Sequence, residues 1–466
     1  MNKNIFKKRL KDIFVYFSGS VLSQAVIFFL LPIYTKKLPP EDYGYFDVIR
    51  TYATFIANFC FLQVHTIVLR YIFEHSKEKS ITNSFILVVC SSILTALLIY
   101  IMSWITYVEY IPLVILYIVS SAVSNYFVYI ARGYGKNVLF ALSGVISAVI
   151  NVVINLVLII NFQFGYVSLY IGYIVSYLVQ SLIIFVFCRV DKSIRIKYFD
   201  KNIFLDMLKF GIPYALNTSA YWFLTSYSKS IISSSLGTYY NGLYAVATKF
   251  TAILSVFSTS ILMVWQEISF SKYEEIKENK EKVGEYYSVS NKYTLYFIIY
   301  CAAFLLPLIR IIFPIIIDNS YSDAISIIPL AIIAMIVNVY CMYLTSIFTA
   351  IKKNRDMLIS SIFGAIVNVI FANIFVKYWA IDGVNIAMIV GLLINAVIRI
   401  FLLYKRIGFK NDFKKCLIPS ILVISAYFIF IKFEVFYNAI FMLFVAIVLF
   451  FDFKGKIKTL KQGKEL

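Results

Sequence analysis

Beyond its first eleven residues the chain runs as long apolar stretches separated by short polar breaks. A helix needs about 20 apolar residues to cross a hydrocarbon core. About fourteen stretches meet or approach that length: 12–34, 43–69, 83–107, 110–131, 137–160, 167–188, 206–235, 240–266, 291–317, 324–350, 357–377, 380–404, 415–432 and 436–452. The breaks carry turn residues, as in Pro39-Pro40-Glu41-Asp42 and Ile381-Asp382-Gly383. The run from Ile13 to Tyr34 is too long for the core of a signal peptide and has no small-residue cleavage site after it. It is expected to be a permanent first span. The pattern predicts an all-α membrane protein of about fourteen transmembrane helices.

Composition agrees: 61% of the 466 residues are hydrophobic and 14% charged, against roughly 25% charged in soluble domains. The net charge of +19 would suggest nucleic acid in a soluble protein. Its distribution gives a different reading. With span bounds taken to about four residues, thirty-four of the 43 Lys and Arg residues fall on the N-terminus, the C-terminus and every second loop. Four fall on the other face (Lys36, Lys37, Lys377, Lys432) and five inside spans. This is the positive-inside asymmetry, which predicts two cytoplasmic termini and an even number of crossings. The charge serves orientation and contact with anionic lipid, and no nucleic-acid partner is expected. The inner loop 267–290 is long and charged and is expected to form a surface helix or a flexible link.

The chain also resembles itself. Lys136-Asn137, Ser143, Asn151 and Arg189 recur as Lys353-Asn354, Ser360, Asn368 and Arg406, each 217 positions on. Phe17, Gln24 and Lys36 correspond to Phe210, Asn217 and Lys229 at a shift of 193. Six spans per repeat is an even number, so the two halves share one orientation and a pseudo-twofold along the membrane normal. The expected organisation is a six-helix lobe over 1–200, a second over 201–410, and two extra helices with a basic tail over 411–466. Transporters built on repeats place substrate between the halves.

A charge at the centre of a spanning helix costs roughly 2.5–3.5 kcal/mol on insertion scales, so such residues face a cavity or a partner. Arg50 in the second span, Lys229 in the seventh and Lys249 in the eighth all lie in the outward half of their helices. They are candidates for a cationic cavity that takes an anionic headgroup. Snorkelling or an internal ion pair is the alternative, with Asp47 as the expected partner. Arg310, between Pro307 and Pro314, is a further candidate, weighed against snorkelling at a helix end. Arg399, near the inner end of its span, reads as a snorkelling or internally paired side chain, and His65 as a packed polar residue. Asp47 is the clear acid within the spans, so an anionic ligand is favoured over organic cations, and phosphate or pyrophosphate suits Arg and Lys. The first span adds Ser18, Ser20, Ser23 and Gln24, and the seventh Asn217, Thr218, Ser219, Tyr221 and Trp222. These can contact sugars or hold helices together. The 37 tyrosines and 43 phenylalanines are expected mostly at lipid and interface.

The six cysteines lack metal-ligand or redox spacing and read as packing residues. No nucleotide-binding GxxxxGK[ST] segment occurs. Neither catalysis, a metal nor a cofactor is expected.

Leu38-Pro39-Pro40-Glu41-Asp42-Tyr43-Gly44-Tyr45-Phe46 is similar to the segment that marks polysaccharide biosynthesis flippases of the Wzx type, in the multidrug/oligosaccharidyl-lipid/polysaccharide exporter superfamily. Gly242-Leu243-Tyr244 leading to Lys249, and the stretch from Lys136-Asn137 to Asn151, also resemble that family. The resemblance implies alternating-access transfer of undecaprenyl-pyrophosphate-linked oligosaccharide from the inner to the outer leaflet of a bacterial plasma membrane. It implies a central cavity lined by spans 1, 2, 7 and 8, which puts Arg50, Lys229 and Lys249 in the role of headgroup and sugar contacts. Ser228, beside Lys229, departs from the acid that many relatives keep. Expected partners are the lipid-linked oligosaccharide and membrane lipids, with a polysaccharide polymerase and glycosyltransferases as candidates. Three other readings stay open: a small-molecule antiporter on the same fold, a flippase for another pyrophosphate lipid such as a peptidoglycan precursor, and a membrane glycan polymerase or glycosyltransferase.

Overall fold

The computed structural model describes residues 28, 30–104, 108–351, 353–410 and 417–461. Most of the predicted span 12–34, with Ser18, Ser20, Ser23 and Gln24, lies outside the described residues. Among the described residues the regular structure is helical throughout. By length and composition, nine of these helical segments can cross a membrane, with Pro40–Glu74 and Arg355–Ile407 each counted as one. Leu417–Lys432 is apolar and shorter. The protein is an all-α, multi-pass membrane protein.

The chain forms two compact units, Met1–Gly242 and Leu243–Leu466. The first holds α1 (Leu31–Lys37), α2 (Pro40–Cys60), α3 (Val64–Glu74), α4 (Lys77–Met102), α5 (Ile111–Gly133), α6 (Asn137–Leu156, extended by a wider turn, Val157–Asn161), α7 (Val167–Phe187), α8 (Lys201–Thr225), α9 (Tyr227–Leu236) and the start of α10 (Thr238–Ile276). The second holds the rest of α10 with α11 (Lys280–Ile316), α12 (Ala324–Ala350), α13 (Asn354–Ile407), α14 (Leu417–Lys432) and α15 (Val435–Lys461).

Helix α7 shows why these sequences suit lipid. Its Leu178, Leu182 and Val186 are exposed, while Ser176, Gln180 and Ser181 are buried. The Ser124 hydroxyl on α5 donates to Gln180 Oε1 at 2.7 Å. Apolar side chains face the hydrocarbon and polar ones pair between helices, where they would otherwise go unsatisfied.

Both halves of the internal repeat adopt the same local structure. Lys136 N bonds the Ala131 carbonyl and Lys353 N the Phe348 carbonyl, each at 2.9 Å, and a long helix follows each turn. In the first unit Gly172 sits against Asn151 and Asn155; in the second Gly391 sits against Asn368. A Cβ at either glycine would strike the facing asparagine, so the helix pairs close only around glycine.

Two predicted elements differ from the observed ones, and a third agrees. The span expected as continuous over 43–69 breaks at Phe61–Gln63, where Leu62 and Gln63 take left-handed backbone conformations. The break lets α3 turn and bury Val64, Ile67 and Val68 against Tyr126 and Ile130 of α5 in the core of the unit. The segment 267–290 is no separate surface element. Helix α10 runs on to Ile276 and α11 begins at Lys280, where the Asn279 side chain accepts from Lys282 N at 3.0 Å. The predicted spans 357–377 and 380–404 are the two limbs of α13, which reverses at Trp379 and Ala380.

The loop before α8 is tied to the start of α4. The Thr82 hydroxyl donates to the Ser193 carbonyl at 2.6 Å, Asn83 Oδ1 accepts from Asp200 N at 3.1 Å, and Lys79 Nζ lies 3.0 Å from Asp200 Oδ2. Lys79 and the backbone amides of Ile203 and Asn202 hold the Asp200 carboxyl below the usual carboxylate range. Asp200 therefore caps α8 as an anion and sets where that helix begins.

Candidate functional site

Helix α2 starts with Pro40 in its first turn and Glu41 and Asp42 beside its positive end, a favourable start for a helix. One turn on, Gly44 meets the segment Thr238–Gly242. A Cβ on Gly44 would strike the Thr238 carbonyl oxygen, and one on Gly242 the Pro40 carbonyl oxygen. Asn241 Nδ2 donates to the Gly44 carbonyl at 2.8 Å. These contacts fix the depth of the next two turns of α2, which carry Asp47, Arg50 and Thr51.

Helix α8 ends at Thr225 and α9 restarts at Tyr227. The two flank α2. Trp222 Nε1 donates to the Thr51 carbonyl at 3.2 Å, and its ring packs on Phe55 at 4.8 Å. One turn past the break, Lys229 Nζ lies 3.0 Å from Asp47 Oδ1 and 2.8 Å from Oδ2. The Asp47 side chain is 5% exposed and that of Lys229 23%. This is the internal ion pair that the sequence allowed.

Arg50 lies three residues after Asp47, on the same face of α2. Its guanidinium sits over the ring of Tyr173 at 5.3 Å, a cation–π arrangement. Tyr117 and Tyr177 flank the same group. Arg50 is half-buried as a residue. Tyr117 and Tyr170 are buried and ring-packed with Phe46 and with each other, and Tyr117 also packs on Tyr173. The expectation that the tyrosines mostly face lipid fails for this group. The signal lay in the sequence: Tyr166, just before α7, and Tyr170, Tyr173 and Tyr177 on it repeat at helical spacing, and a stripe of that kind belongs to a packed face.

The structure thus joins Asp47, Arg50 and Lys229 in the first unit. Asn217 and Tyr221 lie half-buried on α8, two turns and one turn before its end. Lys249 is half-buried on α10, in the second unit. Arg310, also in the second unit, sits over the ring of Phe430 on α14 at 5.5 Å. His65 packs edge-on to Tyr129.

Arg399 is neither snorkelling nor at a lipid-facing end. It is 1% exposed and donates to the Cys341 carbonyl at 2.6 Å, Thr345 Oγ1 at 2.7 Å, and Ser360 and Ser361 Oγ at 3.0 Å each. Neutral oxygens from two helical limbs converge on one charge carried by a third. Nothing in the apolar pattern of α13 marks that convergence.

Two buried carboxylates occur among the described residues, Asp47 and Asp356, and each is paired: Asp47 with Lys229, Asp356 with Arg406 at 2.9 Å. The described cysteines are free thiols, apart from Cys416, which lies outside the described residues. No group of His, Cys, Asp and Glu suited to a metal occurs among the described residues.

The fold is that of a known transporter class. The lipid II flippase MurJ, in an inward closed conformation, matches with a TM-score of 0.72 at 16% identity, over 96% of this chain and 99% of that one. An inward-facing multidrug resistance MATE family transporter of the MOP superfamily matches with a TM-score of 0.68 at 19% identity, over 85% of this chain and 98% of that one. A MOP superfamily transporter from Pyrococcus furiosus, described as having a binding pocket of reverse polarity, matches with a TM-score of 0.62 at 19% identity, over 85% and 96%. Among curated proteins, no sequence matches. The family model for polysaccharide biosynthesis proteins matches residues 9–266; it covers more than half of the chain, carries the resemblance read in Leu38–Phe46, and makes this protein a member of that family.

Proposed function

We propose that the protein is a flippase that moves undecaprenyl-pyrophosphate-linked oligosaccharide from the inner to the outer leaflet of a bacterial plasma membrane by alternating access. One observation carries the reading. Asp47 is balanced by Lys229, and Arg50 beside them adds a positive charge set among phenol groups. A guanidinium in low-dielectric surroundings suits a phosphate oxygen pair, and the phenols suit the sugar next to it. Such a protein needs no chemical step, only two states that present the same cation to opposite sides. Family membership and the lipid II flippase among the structural neighbours support it.

On this reading 1–200 and 201–410 are the repeated lobes, 411–466 is an accessory pair with its tail, and both termini are cytoplasmic. Asn217, Tyr221, Lys249 and Arg310 are further candidate contacts, as is Gln24, outside the described residues. Glycosyltransferases would supply the substrate and a polymerase consume it. The antiporter reading has less support, because the carboxylate that would hold a cationic drug is taken by Lys229.

The test is reconstitution in proteoliposomes with a fluorescent undecaprenyl-pyrophosphate disaccharide, scoring leaflet exchange by quenching. The wild-type chain should accelerate exchange, and Arg50→Gln should slow it by about tenfold or more, the scale of one charge-assisted contact. No exchange above protein-free vesicles, with uptake of ethidium instead, would overturn the proposal in favour of a drug antiporter.

A further inference from the structure

We infer that Lys229 is a positioning residue: it acts by withdrawing the Asp47 carboxylate from Arg50, which leaves Arg50 as the receptor for the phosphate. The inference rests on the function proposed above and assigns Lys229 a role different from that of a second phosphate contact.

The argument starts from spacing. Asp47 and Arg50 stand three residues apart on one uninterrupted helix, where acidic and basic side chains reach each other readily. Left to themselves in a buried site they would pair, since an unpaired buried charge is costly. They do not pair here. Both Asp47 oxygens turn to Lys229 Nζ, at 3.0 and 2.8 Å. Arg50 lies instead against the face of Tyr173 at 5.3 Å. A cation–π contact holds a guanidinium by its face and leaves the N–H groups at its edge for a ligand.

Two features hold the arrangement. The break between α8 and α9 places Lys229 one turn beyond Ser226, and the bond from Trp222 Nε1 to the Thr51 carbonyl at 3.2 Å fixes α8 against α2 before it. The carboxylate is 5% exposed, so losing Lys229 would leave it in a site where water cannot replace the ammonium. The nearest alternative cation on its own helix is Arg50. A salt bridge there would occupy the edge of the guanidinium that a phosphate needs.

This makes Lys229 and a direct phosphate contact separable. A direct contact predicts that neutralising Lys229 weakens phosphate binding whatever stands at position 47. A positioning role predicts that the loss appears only while Asp47 is charged.

The experiment measures binding of undecaprenyl pyrophosphate to the full chain in nanodiscs, with undecaprenol as the control that lacks phosphate. Lys229→Met should weaken binding roughly tenfold, whereas Lys229→Met combined with Asp47→Asn should return to within about threefold of wild type. Lys229→Arg, which keeps the pair, should bind as wild type, and Arg50→Gln should lose the preference over undecaprenol in every background. If Lys229→Met is recovered in unfolded form, Asp47→Asn/Lys229→Met against Asp47→Asn alone carries the comparison, because neither keeps the Asp47 carboxylate while removing its ammonium. A double variant as weak as Lys229→Met, or weaker than Asp47→Asn by tenfold, makes Lys229 a direct contact and overturns the inference while leaving the flippase reading in place. A wild-type chain that binds both lipids equally overturns both.

Discussion

At the scale of single residues, the buried cations divide by what surrounds them. Arg50 faces aromatic rings and is half-buried, whereas Arg399 spends its donors on four neutral oxygens in the packed interior of the second unit. Hydrogen bonds from a charged donor are each worth about 1.5–3 kcal/mol, and partners left unsatisfied in a core cost more than partners removed together. Arg399→Met should therefore lower stability by about 3 kcal/mol and Arg399→Lys by less, since an ammonium reaches some of the same oxygens. Thermal unfolding of the purified chain in detergent checks this. An unchanged midpoint for Arg399→Met would mean that the converging oxygens gain nothing from the guanidinium. The presence of these charges was legible in the sequence, because Lys and Arg stand out in an apolar run. Which cation meets carboxylate, ring or hydroxyl was not, because each partner comes from a different helix.

At the scale of elements, the reversal within α13 shows how a short turn can bring two spanning limbs together. Trp379 leaves the helical region and Ala380 takes φ 45° and ψ −126°, a conformation that costs a side-chain-bearing residue about 1–2 kcal/mol. Gly383 then passes so close to the Phe375 carbonyl that a Cβ would collide with it. The alanine methyl is exposed, so removing it forfeits no packing. Ala380→Gly is expected to stabilise the chain by up to about 1 kcal/mol, after the larger backbone entropy of glycine in the unfolded chain is deducted. Gly383→Val should do the reverse and reduce the yield of folded protein. Comparing the two by thermal unfolding tests the turn, and a destabilised Ala380→Gly would show that the strain is absent. The sequence placed a turn at Ile381-Asp382-Gly383, within two residues of the reversal, because Asp and Gly are turn residues. It offered no sign of the break at Leu62–Gln63. Neither of those residues favours a left-handed backbone, and the packing of α3 on α5 is what holds them there.

At the scale of the whole molecule, the alternation of basic loops carries a prediction about orientation. Lysines and arginines stay on the cytoplasmic side because carrying them across is unfavourable. In intact cells, a cysteine placed at Lys377 in an otherwise cysteine-free chain should react with a membrane-impermeant maleimide. One placed at Lys197 should react only after permeabilisation. Labelling of Lys197→Cys in intact cells would reverse the orientation that the charge count gives. On that orientation the net charge of +19 would gather on one side of the bilayer, against anionic lipid.

The sequence by itself determined the class of molecule: spans, alternating charge, the internal repeat and the few cations worth attention. Each of these is a property of neighbouring residues, or of residues at a fixed period, and hydrophobic burial acts on such patterns whatever the rest of the chain does. The tertiary structure decided the pairing. Asp47 stands three residues from Arg50 and 182 from Lys229, yet it is Lys229 that lies within 3.0 Å of it. Proximity along the chain favours the first pair, but the packing of α8 and α9 on α2 selects the second, because a buried carboxylate pairs with the cation that the fold delivers to it.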